Sequence, residues 1–352
     1  MATVKGLRER LRDGETVVCA EGYMWELERR GFVTCGDFTP EVVLDYPERV
    51  KSLYEEFAWA GSDVVEAYTY YGHREKLKAI GREGDLESLN LKALKMAREV
   101  ADANGCLMAG NICNTTVFDL ADPGTVEMAR GMFKEQIEWA LKAGADYIIA
   151  ETFSALTEAK TALEAIQQYG NGLPAVITMA TYAYDVTLEG VPLPEALRQL
   201  ELMGADVVGL NCGRGPETML PLLREVKQVC KGPVAALPVP VRTTSAEKSM
   251  YSARDPRDGR LVFPEDVACR QCSRSDIRQF AQEARRLGVK YIGLCCGATP
   301  ALLREVAQVY GKKARLSKYA PDTSRSFYLK AGASESGLTM RAFMFGEKDA
   351  WP

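Results

Sequence analysis

One phrase recurs along the chain and limits its folding more than any other feature. Ala60-Gly61-Ser62-Asp63, Ala143-Gly144-Ala145-Asp146 and Met203-Gly204-Ala205-Asp206 each close a stretch of helical spacing and open a short apolar run. The glycine reads as a helix C-cap, where a left-handed residue stops the helix. So short a loop feeds a parallel strand. Eight β-rich apolar runs are found, at 16–21, 63–69, 106–111, 146–151, 175–180, 206–212, 234–239 and 290–295. Helical spacing fills stretches between them, as in Leu86–Asn104, Val126–Ala143, Pro194–Met203 and Ser275–Leu287. Eight alternating units predict an α/β fold, a (β/α)8 TIM barrel, in preference to a doubly wound open sheet. In either fold the ligand belongs at the C-terminal ends of the strands.

The barrel is expected over residues 1–314, with 315–352 as a C-terminal extension. That extension is polar, with a late apolar cluster of Met340, Phe343, Met344, Phe345 and Trp351. It reads either as a tail or as an arm laid on a neighbour in a homo-oligomer. The connection 242–272 is long and falls at the active face, which predicts a functional loop.

Composition narrows the partners. The 352 residues are 47% hydrophobic and 26% charged, with a net charge of −4, which gives no reason to expect nucleic acid or an anionic membrane. No apolar run reaches spanning length and the first residues carry no signal-peptide core, so a cytoplasmic location is expected. The ten cysteines are scattered, and read as reduced thiols rather than a disulfide framework. There is one histidine, His73, so a zinc site here must be held mainly by sulfur.

Two strand ends carry the sulfur that matters. Gly209-Leu210-Asn211-Cys212-Gly213 and Gly293-Leu294-Cys295-Cys296-Gly297 both finish apolar runs in glycine. A lone cysteine there would more often be a small core residue. A doublet on one strand and a third thiol on another favour a metal over packing, and adjacent cysteines ill suit a disulfide. Three thiols with no fourth partner suggest Zn2+ with one position open. Such a site suits the binding of an incoming thiol, whose pKa falls so that it becomes a nucleophile. A water-activating hydrolase fits less well, for want of a shuttle beyond His73. Cys269-Arg270-Gln271-Cys272 lacks a matching second pair and reads as loop cysteines. Cys19, Cys35, Cys106, Cys113 and Cys230 read as packing residues, and His73 as a packed or hydrogen-bonded side chain.

Other strand ends carry acids and rings. Glu21 and Glu151 end the first and fourth strands, where a carboxylate at the barrel mouth can hold an ammonium group. Tyr68, Tyr70 and Tyr71 end the second strand, Phe153 follows Glu151, and Phe38 lies in the loop after the first strand. Together these five suit a wall for an onium cation through cation–π contact, although tyrosines here are also common packing.

The two cysteine motifs resemble the homocysteine S-methyltransferase family, and within it the betaine–homocysteine methyltransferase branch. Thr39-Pro40-Glu41, Thr69-Tyr70-Tyr71, Ile149-Ala150-Glu151 and Gly288-Val289-Lys290-Tyr291-Ile292-Gly293 add to the likeness, which covers about 5 to 310. The resemblance implies that Cys212, Cys295 and Cys296 bind zinc, that homocysteine is the fourth ligand, and that Glu151 holds its amino group. It implies too that Tyr71 lies beside the metal and fills the open position before substrate arrives. Methyl transfer from an onium donor, glycine betaine or a sulfonium such as dimethylsulfoniopropionate, would give methionine. The chain departs from the branch at Ala20-Glu21, where the family's acid falls one place earlier, at Phe38 in place of tryptophan, and at Thr152 in place of tyrosine. The alternatives are an acceptor domain that works with a separate corrinoid or folate protein, and a non-catalytic barrel that binds zinc or thiols.

Overall fold

The structure, a computed structural model, describes residues 4–34 and 36–315. Cys35 and the apolar cluster expected in 315–352 lie outside the described residues. By internal contacts the chain separates into Met1–Lys313 and Ala314–Pro352, and only the first is described below. Its eight strands are β1 (Val17–Ala20), β2 (Val64–Glu66), β3 (Leu107–Cys113), β4 (Tyr147–Phe153), β5 (Ala175–Ala180), β6 (Val207–Asn211), β7 (Val234–Leu237) and β8 (Tyr291–Leu294). They are ordered β1-β8-β7-β6-β5-β4-β3-β2, and every neighbouring pair is parallel. Helices lie between successive strands, which makes this a (β/α)8 barrel. Among the described residues no helix is long and apolar enough to cross a membrane.

The recurrent phrase explains how the strands are set. Gly61, Gly144 and Gly204 all have positive φ, as a left-handed stop requires. The aspartate that follows then reaches back to an earlier strand. The Val18 amide donates to the Asp63 carboxylate at 2.8 Å, and the Asp63 amide donates to the Val18 carbonyl, also at 2.8 Å. Asp146 makes the same pair of bonds with Met108, at 2.7 and 2.8 Å, and Asp206 with Ala175, at 2.8 and 2.9 Å. The first pair joins β1 to the start of β2, the two ends of the strand order, and so closes the barrel.

Alternation along the strands builds the interior in layers. The lower layer is apolar, with Val17, Val64, Leu107, Tyr147, Ile149, Val176, Val207 and Tyr291 in one buried cluster. A step of two residues from Val64, Ala109 and Ile149 reaches Glu66, Asn111 and Glu151, and two steps from Val207 reach Asn211. A polar layer therefore roofs the apolar one, just below the C-terminal mouth. The outer faces of the strands pack against the helices in a second, larger cluster.

The strands differ from expectation mainly at their ends. β3 and β4 run on to Cys113 and Phe153, whereas β2 stops at Glu66 and the chain turns through Thr69–Gly72, where the Gly72 amide donates to Thr69 O at 2.8 Å. Residues 242–272 are folded over the mouth. They are fastened by Arg242 N–H to Arg270 O at 2.7 Å and by Met250 N–H to Gly213 O at 2.7 Å. Cys269 is exposed and Cys272 buried, while Cys19, Cys106, Cys113 and Cys230 are all buried.

Candidate active site

Three thiols meet at the mouth. The Sγ atoms of Cys212 and Cys296 are 3.5 Å apart and those of Cys295 and Cys296 3.9 Å apart, and all three lie within 4.8 Å of one another. Backbone geometry brings them together. Cys212 is held at φ +52° and Gly213 at +69°, two consecutive left-handed residues that turn the chain sharply as β6 ends. A Cβ on Gly213 would run into the Thr181 carbonyl, so the turn admits only glycine. The Cys212 and Cys295 amides donate to Leu237 O at 3.0 Å and Pro238 O at 2.9 Å, so the end of β7 and the residue after it hold both cysteines. The two neighbouring thiols hold Cys212 well below the ordinary cysteine value, while Cys295 and Cys296 are pushed up. Three thiols so close favour one thiolate that the other two solvate.

Beneath them lies a chain of buried acids. Asn111 Nδ2 donates to Glu66 Oε1 at 2.7 Å and to Glu151 Oε1 at 2.6 Å. Asn211 Nδ2 donates to Glu151 Oε2 at 2.9 Å, to Thr152 Oγ1 at 2.8 Å and to Glu21 Oε2 at 3.3 Å. Glu21, Glu66 and Glu151 are 0%, 2% and 3% exposed, and none forms an ion pair among the described residues. Burial is the first cause that pushes all three carboxyls up, Glu151 to about 7. Glu21 Oε1 and Asn111 Oδ1 are buried without a hydrogen-bond partner. Acids with a spare acceptor and no ion-pair partner among the described residues suit an ammonium group.

Above the acids is a cavity of about 190 Å³, lined by the three cysteines, Glu66, Glu151, Thr152 and a wall of rings. Of the expected aromatic residues, Phe38, Tyr68, Tyr70 and Tyr71 line it. Phe153 does not. Two residues past Glu151, beyond the bulge in β4, it is fully buried and packs edge-on against Phe133, with ring centroids 6.0 Å apart. Glu21 lies just below the lining, on Asn211. Tyr71 stacks obliquely on Tyr70 at 4.3 Å, and its hydroxyl bonds to Asn114 Oδ1 at 3.2 Å. His73 is buried against the Tyr71 ring at 5.9 Å, and burial pushes it down to about 4, so it packs as a neutral ring.

Sequence reasoning missed five of the nine rings in the lining, Tyr23, Trp25, Tyr182, Tyr251 and Phe263. Trp25, from the helix Tyr23–Arg29, stands 6.3 Å from Phe38 and 5.9 Å from Phe263. Phe263 in turn stands 4.6 Å from Tyr251, and Tyr251 stands 5.4 Å from Tyr182. A tryptophan thus returns beside Phe38 from a different element. Of the six non-glycine residues with positive φ among those described, Phe38, Tyr71, Thr152 and Cys212 line this cavity. Such strain persists where the surrounding structure holds it, and functional sites are where it gathers.

Fold and site together define a class: a (β/α)8 barrel with a thiol cluster, an acid bed and an aromatic wall at its C-terminal mouth. Residues 17–310 match the homocysteine S-methyltransferase family. The chain is 33% identical to betaine–homocysteine S-methyltransferase 1 of Mus musculus, over 96% of this chain and 80% of that one. It is 32% identical to the S-methylmethionine–homocysteine S-methyltransferase of the same organism, over 96% and 88%. The fold is that of the metallated form of the homocysteine methyltransferase MmuM from Escherichia coli, with a TM-score of 0.65 and 20% identity over 85% of this chain and 98% of that one. The chain belongs to the homocysteine S-methyltransferase family and is an enzyme of that class.

Proposed function

We propose that the enzyme transfers a methyl group from an onium donor to the thiolate of homocysteine, giving methionine, and that it does so with zinc held by Cys212, Cys295 and Cys296. The observation that carries this reading is the convergence of three thiols between an acid bed and an aromatic wall. The thiols fit the ion: all three face one point, and three sulfur donors leave one coordination place for a substrate thiol. Zinc bound there lowers the pKa of that thiol and supplies a thiolate at neutral pH.

The chain's own residues do the rest. Glu151 receives the acceptor's ammonium, with Glu21 and Glu66 beside it, and Asn111 and Asn211 fix the carboxylates. The rings face the donor's methyl groups, which carry partial positive charge and no hydrogen-bond donor. Tyr71, in the same lining as the three thiols, fills the acceptor's place until homocysteine enters. The acceptor's sulfur pair forms the new S–CH3 bond. The donor's C–N or C–S bond breaks with its pair on the leaving atom, which departs as a neutral amine or thioether. In this reading residues 1–314 are the catalytic domain and 315–352 an extension.

Relatives that act with betaine and with S-methylmethionine both support an onium donor, and Trp25 beside Phe38 keeps the wall able to hold one. Phe38 and Thr152 make room for a longer, sulfur-centred compound, so dimethylsulfoniopropionate is expected to serve at least as well as glycine betaine. The test is incubation of zinc-loaded protein with homocysteine and each of three donors, glycine betaine, dimethylsulfoniopropionate and S-methylmethionine, with methionine detected by mass. Cys212→Ala should lose both zinc and turnover, because a two-thiolate remnant binds zinc far less well. No methionine from any donor, or full zinc occupancy in Cys212→Ala, would sink the reading.

A further inference from the structure

One charge in the cavity is unlike the others. Lys76 lies on the helix Arg74–Ala79 and is, among the described residues, the only basic side chain in the cavity lining. Its Nζ stands 4.3 Å from the Tyr71 ring centroid and donates to Asp37 O at 2.9 Å, next to Phe38. It is half-buried, yet it forms no ion pair among those described, whereas Lys5, Lys51 and Lys312 each bond to a carboxylate. Burial pushes its pKa down, which is the mark of a charge only partly compensated. An ammonium has three N–H donors, and a single backbone carbonyl satisfies one of them.

A cation is a poor neighbour for an onium donor. Two positive charges in one small cavity repel, and the repulsion is larger there than in water. The arrangement becomes favourable if the donor carries its own negative charge. The acids lie under the cysteines, while Lys76 belongs to the ring side of the cavity through Tyr71 and the Asp37–Phe38 turn. The two ends therefore ask for opposite charges. The acid bed takes the acceptor's ammonium, and the aromatic side, with its one lysine, takes an anion tethered to an onium.

We infer that Lys76 binds the carboxylate of the methyl donor, and so restricts the enzyme to zwitterionic onium donors. The inference rests on the proposed methyl transfer for the name of the ligand, but it makes a separate demand. Charge-assisted contact at a half-buried site should discriminate by roughly 10- to 100-fold between a donor with a carboxylate and one without.

Calorimetry on the zinc-loaded protein, with each donor titrated in the absence of homocysteine and homocysteine titrated separately, reads this without turnover. Glycine betaine and dimethylsulfoniopropionate are the carboxylate ligands, and choline is the carboxylate-free one. In Lys76→Met both zwitterions should bind about 10- to 100-fold more weakly, with choline unchanged or tighter. Lys76→Arg should restore most of the zwitterion affinity, and Lys76→Glu should turn the preference toward choline. Unchanged thermal unfolding in each variant keeps the result from being a folding effect. Equal losses for choline and the zwitterions, or no loss for either, would overturn the inference. So would a fall in homocysteine affinity with the donor's unchanged, because the carboxylate served would then be the acceptor's. Failure of the methyl transfer itself appears elsewhere, as absence of methionine with every donor while the binding preference stands.

Discussion

Glu151 shows how much one residue depends on its surroundings. It is held from two sides by Asn111 and Asn211, and burial raises it to about 7. Since the folded value lies above the ordinary 4.5, the protonated acid stabilises the empty barrel. That contribution is whole below about 4.5 and is lost as pH rises through about 7. Binding of an ammonium has the opposite sign, because it needs the ionised form. Acceptor affinity should therefore rise across roughly pH 6–8 in the native protein. Glu151→Gln should weaken acceptor binding by about 10- to 100-fold and lessen that rise, leaving only the part due to loss of the thiol proton, since the amide carries no charge to titrate. Calorimetric titration of homocysteine over this pH range checks both. An undiminished affinity, with only the rate of the chemical step shifted in pH, would mean that Glu151 acts as a base.

At the scale of elements, the loop 242–272 finishes a site that the strands begin. Met250 ties it to Gly213, the residue that turns Cys212 inward, while Tyr251 and Phe263 extend the aromatic wall. Phe263 bridges Trp25 and Tyr251, so Phe263→Ala should open the wall without touching zinc or the acid bed. Donor KM should rise by about 5- to 30-fold, the worth of one good ring contact, with zinc content and homocysteine affinity unchanged. Loss of zinc in this variant would show instead that the loop holds the cysteine turn in place. The same loop marks where the sequence stopped being legible. Strands, C-caps and the three cysteines follow from local pattern, because period-two burial and glycine punctuation are written within a few residues. Glu66 and Asn111 left a local sign too, a polar residue inside an apolar run, at the inward positions of β2 and β3. Trp25, Tyr182, Tyr251 and Phe263 left none. They meet only because a helix and two loops fold back over one mouth, and an aromatic residue in a loop looks the same whether it faces ligand or solvent. Phe153 failed in the converse way: its neighbour Glu151 points inward, but beyond it β4 bulges and the ring is carried to the helix side.

For the molecule as a whole, the weakest place in the barrel is the seam where it closes. The other strand neighbours are held by laddered backbone pairs, five of them between β3 and β4, whereas β1 and β2 stand at the two ends of the strand order. Asp63 spans that seam. Its carboxylate accepts from the Val18 amide at 2.8 Å and pairs with Lys312 at 2.7 Å, with Arg10 at 3.5 Å, so it ties both ends of Met1–Lys313 to the sheet. Asp146 makes the same two backbone bonds to Met108 and pairs with Arg98, but the ladder beside it remains if they go. Removing a charged acceptor from a buried amide costs about 1–3 kcal/mol. Asp146→Ala should fall in that range, and Asp63→Ala should exceed it, at roughly 3–5 kcal/mol, because both the amide and the ion pairs at the seam lose their partner. Asp63→Asn keeps an acceptor for Val18 and should recover about half of the loss, which separates the backbone bond from the charge. Denaturant unfolding of the three variants measures the differences. Equal losses for Asp63→Ala and Asp146→Ala would mean that β1 and β2 hold without this bridge.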